Sequence, residues 1–411
     1  MEEWKEYRIS ELVDEISMGP FGSNIKVDNF IDCGVPVLNG SNLQGFKLNE
    51  DSFNYVSQEK ADSLGKANAH KGDVIITHRG TLGQIVYIPE DAKFDQYVIS
   101  QSQFRLKLKW SLIRPDFLVY FFHTREGQHR ILMNASQVGV PALARPTSTF
   151  KEICVPVPSI RVQNKIMEIL KSIDDKIECN QRINDNLELQ AQALFKSWFV
   201  DFEPFKRGDF VESELGMIPK GWRMGELCEI ADITMGVSPS GTTYNTDGNG
   251  EVFYQGRAEF GFRFPKRNMY TSEAKRIAEA DTVLVSVRAP VGDINVAEER
   301  CCIGRGLASV KSKNNCNSFI LYLMHNLKPV FNRFNGEGTV FGSINKKAFE
   351  ELQVLIPDEK AISDFESIAN SLDCLIKKTE QESRRFAQLR DTLLPRLMSG
   401  ELKVNEVETI K

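Results

Sequence analysis

Asp73-Val74-Ile75-Ile76-Thr77-His78-Arg79-Gly80-Thr81-Leu82-Gly83 decides how this chain is read, because it is written a second time. It returns as Asp281-Thr282-Val283-Leu284-Val285-Ser286-Val287-Arg288-Ala289-Pro290-Val291-Gly292, with one residue inserted. Upstream, Ile16-Ser17-Met18-Gly19 is echoed by Ile233-Thr234-Met235-Gly236, and Val37-Leu38-Asn39-Gly40 by Phe253-Tyr254-Gln255-Gly256. Downstream, Phe117 to His123 is echoed by Phe319 to His325. A long helical pattern follows each copy, opening near Pro158 and near Pro357. A period of about 200 residues is far too long for a solenoid. The chain reads as two copies of one unit, each a globule plus a helix, with internal two-fold pseudosymmetry. Such a molecule suits a partner with two matching half-sites.

With 411 residues the chain exceeds one hydrophobic core, and two or three domains are expected. Its 41% hydrophobic and 26% charged content is ordinary for a soluble protein. The longest apolar run, Phe117 to Phe122, is too short to span a bilayer. The start, Met1-Glu2-Glu3-Trp4-Lys5, is acidic and polar and carries no secretory signal. Eight cysteines lie scattered without C-x-x-C spacing, Cys301-Cys302 being the only cluster, which points to reduced, structural thiols in a cytosol. A net charge of -5 argues against a surface coated in basic residues. It leaves nucleic-acid binding open, because local clefts set the field at a contact.

In the first helical segment Ile166, Ile169, Ile173, Ile177, Leu187, Ala191, Leu194 and Trp198 fall at alternating three- and four-residue spacings, with Asn180 and Asn184 in the middle layers. The second gives Phe365, Ile368, Leu372, Ile376, then Thr379 and Ser383, then Phe386, Arg390, Leu393 and Leu397. Narrow apolar seams of this kind indicate coiled-coil packing rather than helices lying on a globule. Each helix should be about 40 residues, roughly 60 Å long. A two-fold relation between the copies sets them antiparallel, facing Asn180 with Ser383, Asn184 with Thr379 and Ile166 with Leu397. Two such rods form a molecular ruler.

The globules read as mixed α/β with many short strands. Val35 to Leu38, Val74 to Thr77, Ile85 to Ile88 and Phe104 to Lys107 are expected strands, and Leu112 to His123 an expected helix. The second copy repeats them at Val283 to Val287, Ala308 to Lys311 and Phe319 to Asn326. Asp209 to Trp222, punctuated by glycine and proline, reads as a linker that restarts the unit.

Catalytic machinery is missing. Gly65-Lys66 lacks the rest of a phosphate loop, and no base-flipping N-P-P-Y motif or methyl-donor glycine loop occurs. Gly336-Glu337-Gly338 with Gly342 fails the G-x-G-x-x-G spacing. The five histidines make no H-E-x-x-H pair, and His123 and His325 take equivalent packing positions. Asp73 and Asp281, shared by the copies, stand where turn formers stand. No catalytic residue or metal site is assigned.

Recognition chemistry remains. Loops recurring in both copies carry Arg, Asn, Gln, Ser and Thr beside glycine, types that read base edges or bind phosphates. In the first copy the candidates are Ser23, Asn24, Asn39, Ser41, Asn42, His78, Arg79, Thr81 and Arg145. In the second they are Ser238, Gln255, Arg257, Arg288, Arg305, Asn345 and Lys346. The competing use of such residues is to cap turns and pair on the surface. Where the copies differ, as Gly80-Thr81-Leu82 against Ala289-Pro290-Val291, two similar frames can read two different half-sites.

The chain resembles the specificity subunits of Type I restriction-modification systems over essentially its whole length. Ser213-Glu214-Leu215-Gly216-Met217-Ile218-Pro219-Lys220-Gly221-Trp222 is similar to the start of that family's second recognition domain. Pro156-Val157-Pro158-Ser159-Ile160-Arg161-Val162-Gln163-Asn164-Lys165-Ile166 resembles the start of the first spacer helix, and Leu394 to Leu402 the end of the second. Gly342 to Phe349 is similar to the loop before the second spacer helix. Ile356-Pro357-Asp358-Glu359-Lys360-Ala361-Ile362 lacks the family's glutamine, and Pro141 to Thr147 departs as well.

The resemblance implies an α+β protein with target recognition domains at 1–157 and 209–356, a central spacer helix at 158–208 and a C-terminal one at 357–411. It implies that each globule reads half of a split, asymmetric double-stranded DNA site. The antiparallel helices would set the gap and dock two methyltransferase subunits, to which two restriction subunits can add. S-adenosylmethionine, ATP and Mg belong to those partners, and this chain is non-catalytic, membrane-free and cytoplasmic in a prokaryote. The rival readings are a stand-alone methyltransferase or nuclease with an unrecognised site, and a coiled-coil adaptor that binds only proteins.

Overall fold

The structure, a computed structural model, describes residues 4–133, 135–136, 140–214, 216–335 and 342–404. It divides into two compact units, residues 1–177 with 384–411, and residues 178–383. Gly336, Glu337 and Gly338 lie outside the described residues.

Unit 1 is built on an antiparallel sheet of β1 (Val13–Met18), β2 (Val74–Thr77), β3 (Ile85–Tyr87) and β4 (Gln103–Leu108), in the spatial order β1-β4-β2-β3. Every residue of β2 is buried. Successive strand side chains point to opposite faces, so an unbroken apolar run needs cover on both. Val74 and Ile76 accordingly join Phe104, Leu106 and the helix α1 (Pro115–His123) in one core. Ile75 joins Leu38, Val86 and Tyr97 in another, towards a second sheet of Val35–Val37, Asn54–Val56, Asn68–Ala69 and Tyr97–Val98. The expected helix from Leu112 begins at Pro115 instead, because proline has its φ set for a first helical position where no N–H is needed. The helix α2 (Ile160–Phe199) starts in this unit.

Unit 2 repeats the plan with β5 (Ala231–Met235), β6 (Val283–Ser286), β7 (Ile294–Val296) and β8 (Leu307–Ser312), ordered β5-β8-β6-β7, and the helix α3 (Asn317–Asn326). Val283 and Val285 face the core that holds Phe319, while Leu284 faces Tyr254 and Ile303 under a second, five-stranded sheet. Cys301 and Cys302 are buried in that sheet, where burial pushes the Cys301 thiol up to about 12. The segment expected as a linker is folded. Phe210–Ser213 and Gly216–Pro219 form a hairpin, and Trp222 is buried with its indole N–H donating to Asp358 at 2.8 Å. Ile218 and Trp222 find Phe199, Phe202 and Phe205 to pack on, a long-range contact that local composition does not encode.

The helix α4 (Glu359–Met398) has 40 residues, as does α2. In unit 1, Ile166, Met167 and Leu170 of α2 share a core with Leu394, Leu397 and Met398 of α4. In unit 2, Ala191, Phe195 and Phe199 share one with Phe365 and Ala369. The expected seam needs two corrections. Ile368 is 44% exposed, and Ala369 takes its buried place. Phe195 and Phe199 are more buried than Leu194 and Trp198. Near its ends each helix packs on its globule as well, which turns the stripe and widens it. Among the described residues no helix is long and apolar enough to cross a membrane.

Candidate nucleic-acid interface

In unit 1, β1 and β2 end, and β3 and β4 begin, at the same end of the sheet, where Met18 pairs with Phe104, Thr77 with Gln103 and Ile76 with Ile85. The connecting loops therefore gather there, and the backbone ties them together. Gly19 N–H donates to Gln103 O (2.8 Å), His78 N–H to Ser102 O (2.9 Å) and Gly80 N–H to Pro141 O (2.9 Å). The loop after Val37 joins through Gln84, whose amide donates to Gly40 O at 3.0 Å and whose oxygen accepts from Thr77 Oγ1.

Unit 2 builds the same rim. Gly236 N–H donates to Leu307 O (2.9 Å), Val287 N–H to Gly306 O (2.9 Å), Ala289 N–H to Gly342 O (2.9 Å) and Gly306 N–H to Gln255 O (3.2 Å). Arg79 bridges Ala142 as Arg288 bridges Ser343, so the two arginines are structural equivalents.

The candidate side chains divide into two groups. Arg79, Arg145, Arg288 and Arg305 are exposed and make no side-chain hydrogen bond or ion pair among the described residues. Arg145 sits at φ 45°, an unusual backbone for a non-glycine residue. Asn24, Thr81 and Gln255 are exposed beside them, and the side chain of Ser23 lies outside the described ones. His78 Nε2 lies 3.1 Å from Gln101 O, and burial lowers its pKa, so the ring is neutral near pH 7.

The other group serves the loops. Asn42 is buried, donates to Asn49 O and Ser52 O at 3.0 Å and accepts from Asn39 N–H, so its side chain is occupied within its own loop. Asn39 accepts from the backbone and hydroxyl of Ser41. Asn345 caps a short helix by accepting from Ala348 N–H at 2.9 Å, and Lys346 pairs with Glu350 at 3.3 Å. Ser238 Oγ accepts from Arg305 N–H at 3.2 Å. Arg257 is not free, because it pairs with Asp293. Burial would raise the Asp293 pKa, but Lys328 and Arg257 hold it below the usual carboxylate range.

On the helices, Asn180 Nδ2 donates to Ser383 Oγ at 3.2 Å and to Glu382 Oε2 at 2.8 Å, and Thr379 Oγ1 donates to Asn184 Oδ1. The Asn180 Oδ1 atom is buried and has no hydrogen-bond partner among the described residues.

Residue-by-residue reading of the sequence missed a polar clasp that fastens each globule to a long helix. In unit 1 Tyr120 donates to Asp174, which also accepts from Arg390 Nη1 at 2.8 Å, and Arg390 lies 4.9 Å from the centre of the Phe46 ring. In unit 2 Tyr322 donates to Asp373 at 2.6 Å, and the buried Arg263 bonds both Asp373 and Glu188. Burial disfavours the Arg263 charge, yet Tyr322, Asp373 and Glu188 raise its pKa above the ordinary value. The signal was available, since Tyr120 and Tyr322 align, as do Asp174 and Asp373. No cluster among the described residues has the His, Cys, Asp and Glu donors to hold a metal.

The family model for the type I restriction modification DNA specificity domain matches this chain twice, at residues 1–189 and 219–390. The chain is 27% identical to the putative type I restriction enzyme MjaX specificity subunit of Methanocaldococcus jannaschii, across 98% of this chain and 94% of that one. It is 22% identical to the type I restriction enzyme HindI specificity subunit of Haemophilus influenzae, across 98% and 100%. Among solved structures, the S subunit of a Type-I restriction-modification system from M. genitalium is similar, with a TM-score of 0.60, 18% identity and 96% of both chains covered. That likeness is one of fold.

Proposed function

The chain belongs to the type I restriction modification DNA specificity family, and from that premise we propose that each unit reads one half of a split DNA site. The loop rim carries the proposal. Each copy places two arginines, unpaired among the described residues, at the same end of an equivalent sheet, among short polar side chains and tight backbone turns. Free guanidinium groups suit phosphates and guanine edges, and different neighbouring side chains on a shared frame suit two different half-sites.

In this reading the recognition domains are 1–157 and 209–356, and the helical segments 158–208 and 357–411 form an antiparallel coiled coil that sets the unread gap. Two methyltransferase subunits dock on the helices, bring S-adenosylmethionine and modify adenine. Restriction subunits bring ATP and Mg, and this chain contributes no chemistry of its own in the cytoplasm of a prokaryote. Replacing residues 210–356 with the corresponding domain of another specificity subunit tests the modular part. Methylome sequencing of a host carrying the hybrid should show one changed half-site and one unchanged. A change in both would refute independent reading.

A further inference from the structure

We propose that Phe21 is an aromatic wedge that stacks on a base in the half-site read by unit 1, an inference that rests on the DNA-reading assignment above. Phe21 is 83% exposed, the most exposed of the large apolar side chains described. Singly exposed apolar side chains are common on protein surfaces, so the argument for Phe21 rests on its place in the loop rim and on how its loop is held.

Its loop is held firmly. A Cβ on Gly19 would meet the Ser100 main-chain O at 1.9 Å, so this glycine is required by close approach of the backbone, while Gly22 lies against the mobile end of the Gln101 side chain. Gly19 N–H is bonded to Gln103 O, and Asn24 N–H closes the turn onto Phe21 O, both at 2.8 Å. Phe21 therefore stands at the head of a pinned turn. Gln101, whose side chain lies against Gly22, has its main-chain O 3.1 Å from His78 Nε2, and His78 precedes Arg79 in the chain. An exposed ring on the same loop rim as Arg79, tied to it through Gly19 N–H on Gln103 O and His78 N–H on Ser102 O, suits a nucleic acid, whose phosphates and base faces offer both chemistries together. Apolar side chains inserted at a base step, and rings stacked on exposed bases, are recognised modes of contact.

Unit 2 lacks the ring. Met18-Gly19-Pro20-Phe21 corresponds to Met235-Gly236-Val237-Ser238, and a Cβ on Gly236 would likewise strike Gly304 O at 2.1 Å. The frame is the same, but Ser238 stands in place of Phe21 and accepts the Arg305 N–H. The wedge should thus act on one half-site only.

The test uses the full-length chain with duplexes selected by it from a random-sequence pool. Phe21→Ser should lower affinity for the selected duplex roughly tenfold, the order of one lost base stack. It should also flatten base preference at a single step of one half-site and leave the other half intact. Phe21→Trp should keep the affinity, and its indole fluorescence should be quenched by that duplex. Because the side chain is exposed, the thermal midpoint of either variant should match the parent and exclude misfolding. Unchanged selection by Phe21→Ser with unquenched Phe21→Trp overturns the wedge while leaving DNA reading in place. Loss of methyltransferase-subunit binding with DNA affinity unchanged overturns it too and makes the ring a protein contact. If the parent chain enriches no bipartite duplex, the DNA-reading assignment fails and the wedge fails with it.

Discussion

Arg79 and Arg288 carry the same backbone bridge in the two units, and neither guanidinium is spent on a partner among the described residues. A phosphate contact from either releases counterions. Arg79→Ala or Arg288→Ala should then weaken binding to all sequences and reduce the salt slope of log affinity by about one unit. Selective loss at one base pair would instead make that arginine a base reader, and an unchanged slope with lower stability would return it to turn packing. His123 supplies a second check at this scale. Burial holds its pKa below the ordinary imidazole value, the bond to the Ile85 carbonyl notwithstanding. The folded state resists a proton that the unfolded chain takes up, so this contribution is complete above about pH 6.5 and is lost as pH falls from there towards the folded value. Between about pH 7.5 and about pH 5.5, His123→Gln should lose less thermal stability than the parent. An equal loss would assign the acid sensitivity to other groups.

At the scale of elements, the polar layers of the long helices are the place to measure. Asn180 is fully buried and satisfied on its amide side by Ser383 and Glu382. Truncating it to alanine strands those partners and should cost about 1–3 kcal/mol in denaturant unfolding. Replacing Asn180 and Ser383 together by leucine should recover part of that loss, since it removes the Ser383 hydroxyl that the single change strands while Glu382 still loses the Asn180 amide. A double variant as weak as the single one would mean that Asn180 stabilises by shape alone. The strands were legible from the sequence because Val74–Thr77 and Val283–Ser286 are unbroken apolar runs written twice. The mid-helix polar residues were legible because they interrupt an otherwise apolar seam. Ile368 misled because it keeps the expected spacing, while Ala369 faces inward once α4 also packs on its globule. Arg263 was illegible, since nothing local distinguishes a surface arginine from one enclosed by Glu188 and Asp373, residues far away in the chain. In the rim, sequence identified the loops but not the occupation of Asn42 and Arg257 by their own turns and neighbours.

For the whole molecule, the proposed function predicts two reading units whose half-sites are spaced by the length of the helices. On that proposal, a coiled-coil register fixed by polar layers would make that length a defined quantity. A heptad adds about 10 Å of helix, close to the rise of about three base pairs. The most direct measurement inserts seven compatible residues after Arg182 in α2 and seven after Gln381 in α4, then reads the modified site by methylome sequencing of the host. The account predicts the same bases in both half-sites, separated by an unread gap longer by about three base pairs. Altered half-site bases with the original gap would contradict it.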